Sequence, residues 1–184
     1  MYMENTQTNK TKESLLSSAH GFEAKLIPFF AKFPHIPEGG RKVIADISPW
    51  IALVFGVLGL FGFLVPLLAV NGFFALIRIP GLLDGVGSVA AITGFITIAL
   101  SLAATILQLL AFNPLKARAK KGWNFLFYGV LIGVVSTLVS VVGGVVGTSS
   151  VYAGAGAVSS LIGGALSFLI GGWILFEIRD QYKA

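Results

Sequence analysis

Five polar side chains recur at steps of four, four, four and three residues inside an otherwise apolar stretch. They are Thr93, Thr97, Ser101, Thr105 and Gln108. These steps place them on one face of a helix. Hydroxyl and amide groups on one face could replace water around a small solute in a narrow pathway. They could also bond to neighbouring helices or to carbonyls of their own helix, which is the interpretation that we favour.

Side chains that commonly carry catalysis or bind metals are scarce. The chain has no cysteine, which excludes thiolate nucleophiles, thiolate metal sites and disulfides. His20 and His35 are the only histidines, and they and all eight carboxylates lie outside the apolar stretches. His20 and Glu23 have helical spacing but lack a third metal ligand nearby. We therefore expect no catalytic residue, metal or cofactor, and no proton-coupled transport, which needs an ionisable group inside the bilayer.

Four apolar stretches without a charged residue must position these polar side chains. They cover residues 49–71, 89–112, 123–146 and 157–176. Each has about 20 residues or more, which at about 1.5 Å of rise per residue crosses a hydrocarbon core about 30 Å thick. Charged residues are 11% of the chain, whereas soluble domains have about 25%. The sequence predicts an all-α integral membrane protein with four transmembrane helices arranged as two hairpins.

Lysines and arginines lie almost entirely on one side of these stretches. Of the 13, only Arg78 lies on the other side. This asymmetry predicts cytoplasmic N- and C-termini and suits the bacterial inner (plasma) membrane. Four of the cations, Lys116, Arg118, Lys120 and Lys121, could also contact anionic lipid headgroups, although fixing the topology is a sufficient role for them. We expect the lipid bilayer, and not nucleic acid, to be the partner of these charges.

The segments that flank the four stretches have their own patterns. Residues 1–13 are polar and predicted to be disordered, and residues 177–184 to form a cytoplasmic tail. Residues 14–48 are predicted to form a cytoplasmic amphipathic helix in the membrane interface, followed by a hinge. The apolar loop 72–88 is predicted to lie at the interface or to re-enter the bilayer. The predicted interface anchors are Trp50, Trp123 and Trp173.

Local signals predict where two of the transmembrane helices begin and end. Ser48 before Pro49 is typical of a helix start, and Pro114 of a helix stop. Lys42 and Asp46, four residues apart, predict an ion pair on the helix surface.

Small residues follow one face of each of the last two stretches. The set consists of Gly129, Gly133, Ser136, Ser140 and Gly143 in the third stretch and of Gly156, Ser160, Gly163, Ser167 and Gly171 in the fourth. Such faces let helix backbones approach closely inside a bilayer. The pattern predicts tight helix packing, either within this chain or with another copy or another membrane-protein subunit.

The stretch from Asn113 to Leu131 and the ending from Leu175 to Lys183 resemble those of uncharacterised small four-span membrane proteins from bacteria. The resemblance implies a four-span membrane protein, and it brings no known activity and no site residues. Together these patterns favour a non-enzymatic structural or interaction subunit of a membrane assembly. The alternative is a small oligomeric channel or permease for a small solute that uses the polar face of the second stretch.

Overall fold

The structure is a computed structural model that describes residues 14, 17, 18, 21–77, 88–147 and 151–183. Four long helices follow one another in this part of the chain: α1 (Glu38–Ile77), α2 (Ser88–Lys116), α3 (Lys120–Gly147) and α4 (Val151–Glu177). A short 3₁₀ helix, Arg179–Gln181, comes after α4. The described residues contain no strand, which confirms the all-α prediction.

All four helices are long and apolar enough to cross a membrane. The segments that qualify are Glu38–Gly62, Ile92–Lys116, Lys120–Val146 and Gly156–Glu177. Large apolar side chains remain exposed on the helix surfaces, for example Phe61 at 61% and Val146 at 63%. A surface of this kind is unfavourable in water and suits lipid. The chain is therefore an integral membrane protein with four spanning helices in its described part.

Helices α1 and α2 pack against each other in opposite directions. A Cβ atom added to Gly56 of α1 would lie 2.7 Å from the Leu109 side chain of α2. One added to Gly59 would lie 2.6 Å from the hydroxyl of Thr105. Because the partner number falls as the α1 number rises, the two helices are antiparallel. Glycine at these two positions allows the close approach.

The α2–α3 and α3–α4 pairs are antiparallel by the same criterion. The hydroxyls of Thr97 in α2 and Ser140 in α3 are 3.4 Å apart. Close to the α2–α3 loop, a Cβ atom on Gly122 would lie 2.6 Å from the backbone nitrogen of Leu115. In the next pair, Thr137 of α3 lies against Gly164 of α4, and the indole N–H of Trp123, earlier in α3, donates to the carbonyl of Leu175, later in α4. Helices α1 and α4 make few direct contacts among the described residues, which leaves a gap between them.

Two helix boundaries differ from the sequence prediction. Helix α1 begins at Glu38 and runs unbroken through Ser48 and Pro49, so the predicted helix start at Ser48 is wrong. Helix α2 continues through Pro114 to Lys116, so the predicted stop is also wrong. A proline removes one backbone donor, and a helix tolerates this inside a membrane protein when nearby groups satisfy the freed carbonyl.

The predicted ion pair between Lys42 and Asp46 is wrong as well. The Nζ of Lys42 lies 2.8 Å from the carboxylate of Glu38, one turn earlier in α1. The carboxylate of Asp46 pairs instead with the guanidinium of Arg118, in the loop between α2 and α3. Helical spacing predicts neighbours on one helix, and it does not reveal a cation that a distant loop brings closer.

The described residues up to Ile36 form a compact unit of their own. Within it, residues 21–30 are helical, and the rings of Phe29, Phe30 and Phe33 cluster with centroids 5.1–5.8 Å apart. Phe22 and Phe29 are each 43% exposed, so this helix keeps apolar surface on its outside. The predictions for residues 1–13 and for most of the loop 72–88 lie outside the described residues.

Candidate functional site at the basic end of the helices

The segment after α4 folds back onto the loop between α2 and α3. The N–H of Lys183 donates to the carbonyl of Arg118 (3.1 Å), and the N–H of Lys120 donates to the carbonyl of Lys183 (2.8 Å). Ala119 and Lys183 thereby form an isolated parallel bridge. We call this end of the helices the basic end, and its cations include Lys42, Lys116, Arg118, Lys120, Lys121 and Lys183.

Arg118 connects three parts of the basic end. Its backbone is left-handed, with φ of 55°, a conformation that costs a residue other than glycine about 1–2 kcal/mol. Its guanidinium donates to the carboxylate of Asp46 and to the carbonyl of Lys42 (3.4 Å), and lies 5.8 Å from the ring of Tyr182. Because the ion pair is partly exposed, it stabilises the fold by about 1 kcal/mol at most. Its main effect is to hold the loop against α1 and the tail.

The side chain of Tyr182 docks where Pro49 interrupts the hydrogen bonding of α1. Pro49 has no N–H, so the carbonyl of Ala45 lacks its usual helical donor. The Ser48 hydroxyl lies 3.0 Å from this carbonyl and the Tyr182 hydroxyl 3.2 Å from it. The two hydroxyls also lie within hydrogen-bond distance of each other. The two hydroxyl hydrogens are thus shared among three contacts. Whichever hydroxyl donates to the other, the second one donates to the carbonyl of Ala45.

Burial makes this cluster important for stability. Ala45 is 0% exposed, Ser48 6% and Tyr182 4%. A buried carbonyl without a donor would cost about 1–3 kcal/mol. Burial also raises the pKa of Tyr182 above its ordinary value, against smaller opposing effects of the Ser48 hydrogen bond and the Arg118 charge. The phenol therefore keeps its proton at neutral pH and can donate it to the carbonyl.

An aromatic cluster joins α3 to α4 beside the residues that follow α4. Trp123 is 0% exposed, and its indole N–H donates to the carbonyl of Leu175 over 2.7 Å. Its ring stacks on Phe127, with centroids 5.3 Å apart and planes inclined by 10°, and meets the edge of Phe176 at 5.6 Å. A buried indole needs a hydrogen-bond acceptor, and here α4 provides it.

The three tryptophans predicted as interface anchors have different surroundings. For Trp123 the prediction is wrong, because complete burial keeps its indole away from lipid headgroups. Trp50 is 54% exposed and packs edge-on against Phe112, with centroids 5.5 Å apart, which leaves it accessible to the interface. Trp173 is half-buried on α4.

The four cations predicted to contact anionic lipid are all engaged with other groups of this chain. Lys120 lies 3.6 Å from the ring centroid of Trp123, and Lys116 lies 5.8 Å from that of Trp50. Lys121 lies 5.6 Å from a phenylalanine ring one turn along its own helix. Arg118 pairs with the carboxylate described above. Cations over aromatic faces keep their charge, so these contacts are compatible with a headgroup nearby.

The predicted polar face of α2 divides between two neighbours. Thr97 donates to the carbonyl of Thr93 (2.8 Å) and approaches the α3 hydroxyl described above. Thr105 is 4% exposed and lies against α1, whereas Ser101 is exposed. Gln108 is half-buried and lines a cavity. The contacts of Thr97 are those expected for helix packing.

The predicted small-residue faces are only partly used inside this chain. Gly143 lies directly against Thr93, and Ser140 approaches Thr97. Ser136 is half-buried, while Ser160 and Ser167 are exposed. A Cβ atom would meet nothing within 4 Å at the remaining positions, Gly129, Gly133, Gly156, Gly163 and Gly171.

A cavity of about 310 Å³ occupies the gap between α1 and α4. Ser48 and Phe55 lie in its α1 wall, Gly171 in its α4 wall, and Gln108 and Gly129 between these walls. Its lining is apolar apart from Ser48 and Gln108. Apolar pockets of about 300 Å³ or more with a few polar groups are typical of ligand sites.

Two residues at this end were not identified from sequence. Ala45 and Tyr182 are 137 residues apart, so no local spacing connects them. The one available signal was Pro49, whose position inside a helix implies that Ala45 needs a donor from elsewhere. In the described part of the chain, no group of three His, Asp or Glu side chains is placed to hold a metal ion. No protein-family model, curated protein or solved structure matches this chain.

Proposed function

We propose that the protein is a structural or interaction subunit of an assembly in the bacterial inner membrane. In this proposal the helices insert as two hairpins, both termini are cytoplasmic, and the amphipathic N-terminal helix lies on the cytoplasmic interface. The basic end then faces the cytoplasm, where Lys116, Arg118, Lys120 and Lys121 lie close to anionic headgroups.

The observation that carries this proposal is the open space at Gly133, Gly156 and Gly163. A Cβ atom at any of them would meet nothing within 4 Å. Glycines that do pack within the chain, such as Gly59 and Gly164, have a side chain of the next helix within 3 Å of the same point. In lipid, a smooth helix face of this kind gains its packing energy from the backbone of another helix. The partner is a second copy of this chain or another membrane subunit.

The experiment compares Gly163→Leu with Val158→Leu, a control on the same helix whose wild-type side chain is already large and 56% exposed. Both variants should retain the helical circular-dichroism spectrum, because a Cβ atom at Gly163 meets nothing within 4 Å and the side chain of Val158 is exposed. Gly163→Leu should change the particle mass in native mass spectrometry after gentle extraction, and Val158→Leu should not. An unaltered mass for Gly163→Leu would reject the proposal.

The alternative function, a small channel or permease, needs a continuous line of hydroxyls along α2. Thr97 approaches α3, Thr105 lies against α1, and Ser101 is exposed. Because these hydroxyls do not share one neighbour, the channel alternative has less support. It has its own test in liposomes: Thr97→Val combined with Ser101→Ala should alter solute flux while the assembly stays intact. Unchanged flux would eliminate this alternative.

A further inference from the structure

The glycines that line the cavity differ in role from those that pack helices. Gly129 of α3 and Gly171 of α4 both line it, and a Cβ atom at either would meet nothing within 4 Å. A methyl group at either position would therefore meet no clash. Empty space of this size forfeits the contacts of every group around it. The two glycines therefore keep room for an occupant.

The cavity is accessible from the lipid side of α1. Ile51 and Phe55 belong to its wall and are 44% and 58% exposed. Ala52, Leu175 and Ile178 also line it but are at most 5% exposed, so they form its interior. The surroundings of a spanning helix are acyl chains, and an apolar chain fits an apolar lining that opens towards them.

A cationic residue lies on the same face of α1 as the cavity wall, beyond the end of the cavity. Arg41 lies three residues before Ile44 and seven before Ser48, so all three share one face of α1. Its buried Nε has no hydrogen-bond partner among the described residues. The axial rise from Arg41 to Ser48 is about 10 Å, and helical side chains lean towards the N-terminus, here away from the cavity. The guanidinium is thus directed towards the headgroup layer when the cavity lies in the hydrocarbon layer.

From this arrangement we propose that the gap between α1 and α4 is a binding site for one anionic phospholipid. One acyl chain fills the cavity between Phe55 and Gly171, and the phosphate accepts hydrogen bonds from Arg41. Basic groups at the membrane surface beside an opening between helices are suited to anionic headgroups. Guanidinium and phosphate form a strong, charge-assisted pair. The inference goes beyond the proposed function, since the lipid would occupy the site in a single chain.

The test uses two photoreactive lipids with the same diazirine-bearing acyl chain, one a phosphatidylglycerol and one a phosphatidylcholine. Each is added at trace amounts to phosphatidylcholine vesicles that contain the full chain. After illumination, mass spectrometry measures adducts on Ala52 and Leu175, which are 3% and 5% exposed and therefore report on the interior. Both probes carry the phosphate, but phosphatidylglycerol has a net negative charge, whereas the choline cation of phosphatidylcholine neutralises its headgroup. The phosphatidylglycerol probe should therefore label them about fivefold more, the ratio that corresponds to about 1 kcal/mol per charge at the membrane surface.

Gly129→Leu should remove the adducts on Ala52 and Leu175, because the new side chain fills the cavity. Gly62→Leu is the control: it adds the same side chain at another open glycine, on α1, outside the cavity lining and outside the small-residue faces of α3 and α4. Should Gly129→Leu fail to fold, Gly171→Leu fills the same space from α4.

Arg41→Gln should reduce labelling by the phosphatidylglycerol probe to the level of the phosphatidylcholine probe. Lys42→Gln, which removes the next cation of α1, one that pairs with Glu38 and lies outside the cavity lining, should leave the ratio unchanged. Equal labelling of the wild-type interior by both probes would overturn the proposal. So would labelling that persists when the cavity is filled. These results are independent of particle mass, so they separate this site from the association of helices through Gly163.

Discussion

Neighbouring glycines of α4, Gly163 and Gly164, should respond in opposite ways to alanine. A Cβ atom on Gly164 would lie 2.5 Å from the methyl carbon and 2.8 Å from the hydroxyl oxygen of Thr137. Thr137 cannot turn away freely, because its hydroxyl donates to the carbonyl of Gly133 over 3.0 Å. A Cβ atom on Gly163 would meet nothing within 4 Å. The two substitutions change the same helix by the same atom and differ only in their surroundings.

The magnitudes follow from two opposing effects. Alanine stabilises a helix interior over glycine by about 0.5–1 kcal/mol, and Gly163→Ala should keep that whole gain. Forcing an extra methyl group into an occupied space costs about 1–3 kcal/mol. Gly164→Ala should therefore lower the free energy of unfolding by up to about 2.5 kcal/mol net. For a chain of this size, each kcal/mol shifts the Tm by about 2–4 °C.

The measurement is the Tm of both variants in a detergent that keeps the chain monomeric. We expect Gly163→Ala to unfold at or above the wild-type Tm, and Gly164→Ala to unfold several degrees below it. Thr137→Ala combined with Gly164→Ala should recover most of the loss, because the methyl and hydroxyl groups that clash are then absent. Equal Tm values for the two single variants would refute the packing of α3 on α4 described above.

Three further outcomes are expected. Tyr182→Phe should lower the free energy of unfolding by about 1 kcal/mol. Because burial raises the pKa of Tyr182, the stability that the phenol contributes is complete below about pH 10, the pKa of an ordinary tyrosine. It is lost as the pH rises through the folded pKa. Wild type and Tyr182→Phe should then converge in urea titrations at alkaline pH, and a constant difference would contradict this. Trp123→Phe should cost about 1–3 kcal/mol in the same assay, because the carbonyl of Leu175 loses its buried donor. Since the chain has no cysteine, Lys183→Cys provides a single thiol, which an impermeant maleimide should label in inverted vesicles and not in intact cells.

The apolar stretches were sufficient to predict the four spanning helices, because length and the absence of charge are properties of the chain alone. The predicted helix boundaries were wrong at Pro49 and Pro114, where local proline rules predict a helix start and a helix stop, respectively. At Pro49 one of the two hydroxyls that serve the freed carbonyl comes from Tyr182, and its docking depends on the tertiary structure. Trp123 shows the same limit: its position near a span end suggested the interface, but an acceptor on another helix holds it inside.

The small-residue pattern identified the glycine-rich faces of α3 and α4, but it did not show which of their glycines contact another helix. The faces of α3 and α4 contain both glycines that touch another helix, such as Gly143, and glycines that touch nothing, such as Gly163. Both kinds follow the same three- and four-residue spacing, so sequence alone does not separate them. The cavity depends on the separation of α1 from α4, which no local pattern encodes. Gln108 therefore looked like one more member of a polar face.

The pairing of Ala45 with Tyr182 has a consequence for synthesis of the protein. Ala45 leaves the ribosome 137 residues before Tyr182 does, an interval of about 7–27 s at about 5–20 residues per second. Throughout that time, of the two hydroxyls that contact this carbonyl in the finished structure, only that of Ser48, three residues away, has been synthesised. Ser48 thus supports the nascent first helix, and the arrival of Tyr182 marks the moment when translation of the described chain is nearly complete. Loss of Ser48 should therefore reduce membrane insertion of the nascent chain more than it reduces the stability of the finished one.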